Sequence, residues 1–170
     1  LEMIGKGTGH RGTNWVAVRI PDNAIACHAN HSRIRKFFQY KDTEVMHSDG
    51  IVEFARENGF FDGKDEDFDF SAAFAPADFG AIRYCETRVW SFYNRFVDGM
   101  DKYLDYADGR HIATAEPMPL WFIPRHKVSR EDIFSAMRDH YEGTPFDVTK
   151  DCGMGLGEMP YRPTPLEFEY

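Results

Sequence analysis

An apolar stripe along residues 81–97 restricts the fold of this chain more than any other feature. Five apolar residues follow one another at spacings of three, four, three and four: Ile82, Cys85, Val89, Phe92 and Phe96. This spacing places their side chains on one face of an α-helix. Because an apolar helix face must be covered by another element, we predict a helix over residues 81–97 that packs against a β-sheet.

The beginning of the chain supplies candidate strands for that sheet. Residues 1–4 form a short apolar run, and residues 14–20 alternate in the manner of a half-buried strand. The sequence Pro-Asp-Asn at 21–23 is typical of a turn, because proline presets φ and the other two residues tolerate left-handed backbone. We therefore predict that residues 14–20 and 24–30 form a β-hairpin.

Two further helices are indicated by residues that favour helix ends. Ser48 can cap a helix that ends before Gly59, and this glycine suits the left-handed position after a helix. Ser129 and Asp132 have the spacing of a capping box, in which each residue satisfies a free backbone N–H of the first turn. The helix that begins there is expected to run to about residue 140.

These elements together indicate an α+β fold with antiparallel sheets and covering helices. Residues 120–123 add a short apolar strand, whereas residues 144–170 are rich in glycine and proline and are expected to be loop with short strands. With 42% hydrophobic residues in 170 positions, the chain can form one ordinary core. We expect a single domain, or part of one, over residues 1–170.

Charge and hydropathy disfavour two classes of partner. The formal net charge is −8, whereas binding to a nucleic-acid backbone depends on clustered Lys and Arg. No apolar run approaches the roughly 20 residues that span a bilayer, and no basic segment precedes an apolar one near the N-terminus. We expect a soluble chain that binds neither nucleic acid nor membrane, and the sequence does not predict its cellular location.

The cysteines and histidines could suggest a metal site or a thiol nucleophile. Cys27, Cys85 and Cys152 are odd in number and far apart, which indicates neither a disulfide framework nor a zinc ribbon. Cys27 lies close to His28 and His31, but neighbouring residues of a strand point to opposite faces, so no ligand set closes locally. A buried thiol is the favoured interpretation of Cys27, and zinc or catalysis is the alternative.

Two other strings resemble cofactor motifs only in part. Residues 7–12, Gly-Thr-Gly-His-Arg-Gly, match the letters of a dinucleotide fingerprint, but a strand follows them where that motif requires a helix. A flexible turn near a substrate pocket is the better interpretation. The acidic residues 62–67 lack the carboxylate spacing of an EF-hand loop. We expect no metal and no organic cofactor.

Asn30 and Arg88 are the candidate site residues. Asn30 ends an apolar strand, where a polar amide is either bonded locally or presented to a ligand. Its NH₂ group can donate a hydrogen bond to a developing oxyanion, as side-chain amides do in acyl transfer. Arg88 lies beside the apolar face of the predicted helix, so it can either reach inward towards a carboxylate or form a surface ion pair.

Several strings, in this order and at this spacing, resemble the dipeptidase A family of bacterial cysteine-type dipeptidases. They are Gly-Thr-Gly-His-Arg-Gly at 7–12, Trp-Val-Ala-Val-Arg-Ile-Pro-Asp at 15–22, His-Ala-Asn-His-Ser-Arg-Ile at 28–34, Thr-Arg-Val-Trp at 87–90 and Asp-His-Tyr-Glu-Gly-Thr-Pro-Phe-Asp at 139–147. The resemblance covers most of the chain. No single string is specific, but the series is.

The resemblance implies a fold, a reaction and two site residues. The family is similar to the penicillin acylases and bile-salt hydrolases, so it implies a four-layer αββα sandwich and an N-terminal cysteine nucleophile that hydrolyses dipeptides without a cofactor. Asn30 matches the asparagine that stabilises the oxyanion. Arg88 matches an arginine set near the nucleophile, where it could lower the thiol pKa or bind a substrate carboxylate.

The nucleophile itself is expected outside these residues. Leu1 has no reactive group, and an internal cysteine has no free α-amine to act on the proton. We expect the nucleophile in a missing upstream part, an inactive chain without that part, and self-association through an open strand edge. The alternative is a binding or structural module that derives from the same fold and catalyses no reaction.

Overall fold

The computed structural model describes residues 1–7 and 11–147, and it contains two small antiparallel sheets with covering helices. In the first sheet, β2 (Thr13–Val18) lies between β1 (Glu2–Gly5) and β4 (Val45–His47). In the second, β3 (Ile25–Ala26) pairs with β5 (Trp121–Phe122). The α+β prediction and the strands predicted near residues 1–4, 14–20 and 120–123 are confirmed.

The predicted hairpin between residues 14–20 and 24–30 is wrong. The turn between them forms, with the Ala24 N–H donating to the Pro21 carbonyl at 2.9 Å. However, β1 and β4 occupy both edges of β2, so no edge is left for the following segment. Only two residues of that segment are strand, and they pair with β5, more than ninety positions along the chain. Local alternation identified the strand but not its partner.

Helix α1 (Ile51–Glu57) begins later than Ser48 predicted. Its first turn follows Gly50, which has a φ of +67°, and the Ser48 hydroxyl instead accepts a hydrogen bond from the Trp15 N–H at 3.2 Å. Ser48 therefore fastens the helix entry to β2 rather than capping the helix. Gly59 has the predicted left-handed backbone, with a φ of +72°.

Helix α3 (Phe79–Asn94) is the helix that the apolar stripe predicted. The side chain of Asp78 caps it by accepting from the Ala81 N–H at 2.8 Å. The predicted face is turned inward, and Tyr93 on this helix packs against Phe122 of β5 with 4.6 Å between ring centroids. The stripe continues past the helix end because Phe96 remains buried in the turn that follows.

The described residues form two apolar cores. The first lies under α3 and the short helix α4 (Leu104–Ala107), and its largest members are Trp90, Tyr93, Phe96, Tyr103 and Phe146. The second lies under the three-stranded sheet, α1 and the short helix α2 (Phe70–Phe74), and it includes Val16, Ile34, Phe37, Ile51 and Phe68. Residues 27–34 run between the two cores.

Helix α5 (Arg130–Met137) has the predicted capping box, with Ser129 and Asp132 each bonded to the other's backbone N–H. It ends near residue 137 rather than 140, and none of its residues is fully buried. Met137 is 74% exposed. A hydrogen bond of 2.6 Å from Arg95 to Ser135 ties it to the end of α3.

The face of the first sheet that is turned away from its core is apolar. The cross-strand pairs on this face are Met3 with Trp15 and Ala17 with Met46, and both methionines are 65% exposed.

In the described residues no helix is long and apolar enough to cross a membrane. Cys152 and residues 148–170 of the loop predicted for 144–170 lie outside the described part of the chain, as do residues 8–10 of the glycine string.

Candidate active site

The structure brings the two predicted site residues into contact. Nη2 of Arg88, on α3, donates to Oδ1 of Asn30 at 3.0 Å, although the residues are 58 positions apart. A guanidinium group has only donors, so the amide oxygen must face it. The NH₂ group of Asn30 then points away from Arg88 and is available to donate to a negatively charged oxygen.

Arg88 is itself held in one orientation by its own helix. Its Nε donates to the Tyr84 carbonyl at 2.9 Å, and the guanidinium lies 4.9 Å from the centre of the Tyr84 ring. Nη2 also lies 3.7 Å from Sγ of Cys85. The result is a half-buried positive charge fixed beside Asn30.

Arg33 anchors one side of the segment that carries Asn30. Its Nη1 donates to the Cys27 carbonyl at 3.1 Å, and its Nη2 donates to the carbonyls of residues 118–119 at 3.1 and 2.9 Å. Nε forms an ion pair of 3.1 Å with Glu86 of α3, in which the two side chains are 4% and 3% exposed. Burial has the largest single effect and lowers the pKa of Arg33, but the Glu86 carboxylate and the Tyr93 hydroxyl together outweigh burial and raise it. Arg33 therefore stays charged.

Glu2 of β1 anchors the other side of the same segment. Its carboxylate accepts from the backbone N–H groups of Arg33 at 2.7 Å and Ile34 at 3.1 Å, from the Ser32 hydroxyl, and from Nδ1 of His28 at 3.0 Å. Burial would raise the pKa of Glu2, but these hydrogen bonds together lower it. The carboxylate is thus ionised at neutral pH, and it fixes the backbone after Asn30 and the His28 side chain before it.

Tyr93 also supports the segment that carries Asn30, through its hydroxyl group. Its hydroxyl accepts from the Cys27 N–H at 2.9 Å and donates to the Leu120 carbonyl at 2.9 Å. Asn30 consequently lies on irregular backbone whose neighbours are fixed by three buried side chains. A hydrogen-bond donor held in place before the reaction is what electrostatic stabilisation of a transition state requires.

Neither thiol in the described residues is an activated nucleophile. Burial raises the pKa of Cys27 to about 11, although the positive charge of Arg33 opposes this rise. Burial also raises the pKa of Cys85, against the opposing effect of Arg88. Both groups are thiols rather than thiolates at neutral pH. Cys27 is half-buried rather than fully buried as predicted.

The predicted zinc alternative finds no support at Cys27. His28 is turned to the Glu2 carboxylate, and within residues 1–7 and 11–147 no three side chains of His, Cys, Asp or Glu converge closely enough to hold a metal ion. The acidic segment at 62–67 is used differently, because Asp65 pairs with Arg56 at 2.5 Å. The chemistry available at Asn30 and Arg88 is hydrogen bonding and fixed charge.

A cleft of about 490 Å³ lies beside Asn30. It is bounded by β1, by residues 28–32, and by the rings of Phe70 and Phe74. Small-molecule sites commonly have volumes of roughly 300–1,000 Å³, with mostly apolar walls and a few polar groups. The cleft is therefore of a suitable size for a short peptide.

Sequence reasoning missed the residues that position Asn30. Arg33 lies in the same string as Asn30. Its partners are mostly backbone carbonyls, which every residue carries, so the sequence does not indicate them. Glu86 carried a usable signal, because it is an acidic residue four positions after Ile82 and therefore close to the buried stripe of α3. Nothing in the sequence indicated that Glu2 positions Asn30, beyond the place of Glu2 in the predicted strand.

Comparisons with known proteins agree on one family. The sequence model of peptidase family C69 matches residues 1–168. The chain is similar to a dipeptidase of Bifidobacterium longum strain NCC 2705, with 32% identity over 90% of this chain and 28% of the relative. It is similar to a probable dipeptidase of Salmonella dublin, with 29% identity over 83% of this chain and 30% of the relative. The dipeptidase A of Lactobacillus helveticus is 25% identical over 96% of this chain and 31% of that protein.

Proposed function

Since the chain belongs to peptidase family C69, we propose that its residues form part of the active site of a cysteine-type dipeptidase. The chain spans about 30% of the length of the curated relatives it matches. We place the cysteine nucleophile in a part of the protein outside the described residues. This chain contributes Asn30, Arg88 and part of the substrate cleft.

The contact between Asn30 and Arg88 carries this proposal. When a thiolate attacks the peptide carbonyl, a tetrahedral oxyanion forms, and the NH₂ group of Asn30 donates to it. The intermediate then expels the amine, which takes up a proton, and water hydrolyses the thioester that remains. Arg88 keeps the amide in the required orientation and favours an anion, either the thiolate or a substrate carboxylate, beside it.

The half-buried Cys27 and the buried Cys85 support a nucleophile elsewhere. A cysteine at a chain end can use its own α-amine to accept the thiol proton, and Cys27 and Cys85 cannot do so. Their raised pKa values make them poor nucleophiles at neutral pH. The same observation also favours a second candidate, a binding module that derives from the fold and lacks a nucleophile.

We further propose that the exposed apolar sheet face is one of the two inner faces of a four-layer αββα sandwich. Met3, Trp15, Ala17 and Met46 would pack against a second sheet, as facing sheets do at about 10 Å separation. A second copy of the chain is the alternative occupant, and the open edges of the first sheet would allow it to pair.

The test is hydrolysis of unblocked dipeptides by the longer protein with its native N-terminus. Replacing Asn30 with Ala should lower the rate by roughly 10²- to 10³-fold, the effect of losing one oxyanion donor. Asn23→Ala, in the exposed turn before β3, is the matched control and should retain full activity. A folded and correctly processed protein that cleaves no dipeptide in the panel would contradict the proposal. It would instead favour the binding module.

A further inference from the structure

The backbone of Tyr141 adopts a conformation that a tyrosine rarely adopts. Its φ is +61°, and it is the only residue other than glycine with positive φ in the described part of the chain. Left-handed backbone at such a residue is strained and persists only where neighbouring groups enforce it. Here the Tyr141 N–H donates to Asp139 at 3.0 Å, and its carbonyl accepts from the Thr144 hydroxyl at 2.7 Å.

This turn is fastened to the helix that carries Arg88. Asp139 forms an ion pair of 3.0 Å with Arg95 at the end of α3, and Phe146 packs edge-on against Trp90 with 5.3 Å between ring centroids. The half-buried ring of Tyr141 packs against the same apolar core as Cys27 and Ala29, which precede Asn30. The residues after α5 therefore lie against α3, the helix that carries Arg88.

The surroundings of Tyr141 decide what its hydroxyl can do. Burial raises the pKa of Tyr141 to about 12, and Arg88 is the charge that opposes this rise most strongly. The phenol is therefore neutral at physiological pH and acts as a hydrogen-bond donor rather than a base. Among the described residues Nε and Nη2 of Arg88 have acceptors, whereas Nη1 has none.

We propose that Tyr141 and Arg88 together form the subsite that binds the C-terminal carboxylate of the dipeptide. A dipeptide carries this anion one residue from the bond that is cleaved, so its receptor must lie close to the oxyanion donor Asn30. A guanidinium N–H and a neutral phenol are two donors that an anion can accept from at once. This inference rests on the proposed dipeptidase function and adds the feature that would select unblocked C-termini.

The experiment compares Tyr141→Phe with the unmodified longer protein on two substrates, a dipeptide and the same dipeptide with an amidated C-terminus. We expect KM for the free dipeptide to rise roughly 10-fold or more, as for the loss of a hydrogen bond to a charged group, with kcat little changed. KM for the amide should not change. Tyr40→Phe removes another half-buried phenol that lies outside the site and should alter neither substrate.

Each outcome separates the two levels of the proposal. If the unmodified protein cleaves neither substrate, the dipeptidase function fails, and the subsite fails with it. If it cleaves the dipeptide and Tyr141→Phe leaves both KM values unchanged, or raises both equally, the carboxylate subsite alone is wrong. Should the Phe variant fold poorly, Tyr141→Gly suits the left-handed backbone, removes the phenol and should show the same selective loss.

Discussion

The segment 27–34 and helix α5 differ in a way that regular secondary structure does not predict. After Ile25–Ala26 the segment has no helix or strand, yet Arg33 and Glu2 hold it with buried, charge-assisted hydrogen bonds. Helix α5 is regular and well capped, yet it buries no residue completely. Regularity therefore comes from local backbone bonding, whereas fixation in the molecule comes from burial and long-range contacts.

This difference has a functional meaning at Asn30. A donor that must point at a developing charge needs a fixed position rather than a regular backbone. Irregular backbone exposes N–H and C=O groups that side chains can bond, and Arg33 and Glu2 use this opportunity. The three predictions that follow test whether the irregular segment is the more strongly held of the two regions.

The largest effect is expected from Arg33→Ala. The variant leaves the Glu86 carboxylate buried without its partner and removes donors from three backbone carbonyls. Breaking a buried ion pair on one side typically costs about 3–5 kcal/mol of unfolding free energy. Arg35→Ala, which removes an exposed partner of Asp69, should cost less than about 1 kcal/mol. Urea unfolding of both variants measures the difference, and equal losses would refute the comparison.

A smaller, pH-dependent effect is expected from Glu2→Gln. The pKa of Glu2 is lower in the folded state than its ordinary value of 4.5, so its contribution is complete above that pH and is lost as pH falls through the folded pKa. The variant should lose about 1.5–3 kcal/mol at pH 7, because hydrogen bonds to a charge are replaced by weaker ones. Its disadvantage should shrink in acid. A constant difference between pH 7 and pH 3 would show that ionised Glu2 is not the anchor.

The smallest effect is expected from Ser129→Ala at the start of α5. Losing the N-cap should speed hydrogen exchange of the α5 amides roughly fivefold, while the unfolding midpoint of the whole protein changes little. Arg130→Ala removes only an exposed ion pair with Glu131 and should leave exchange unchanged. If the global midpoint falls instead, α5 is coupled to the core as firmly as the segment 27–34.

Features of the fold with a local origin could be predicted from the sequence. The stripe of α3 and the capping box of α5 each arise within a few residues, and both were located to within about three positions. The pairing of β3 with β5 could not be predicted, because it joins residues far apart and its short strands have no distinctive alternation. The predicted hairpin was wrong for this reason.

The candidate site also contains features that the sequence indicates and features that it does not. The sequence makes Asn30 and Arg88 candidates, because a polar amide at a strand end and an arginine beside an apolar face can each serve a site, and the family resemblance implies their roles. The contact between Asn30 and Arg88 could not be predicted, because it depends on how residues 27–34 cross α3. Tyr141 lies in the string at 139–147 that resembles the family, but nothing in that string marks its backbone as unusual. Its left-handed backbone becomes visible only in three dimensions.

The anchoring of Arg33 also governs the order in which the chain can assemble during synthesis. Arg33 donates to carbonyls that lie 85 and 86 positions later in the sequence. At a ribosomal rate of about 5–20 residues per second, those carbonyls are made roughly 4–17 s after Arg33. Throughout that interval the Arg33 guanidinium lacks these two acceptors, so the segment 27–34 is not yet held in its final position. The segment that carries Asn30 therefore becomes fixed only after residues 118–119 have been made.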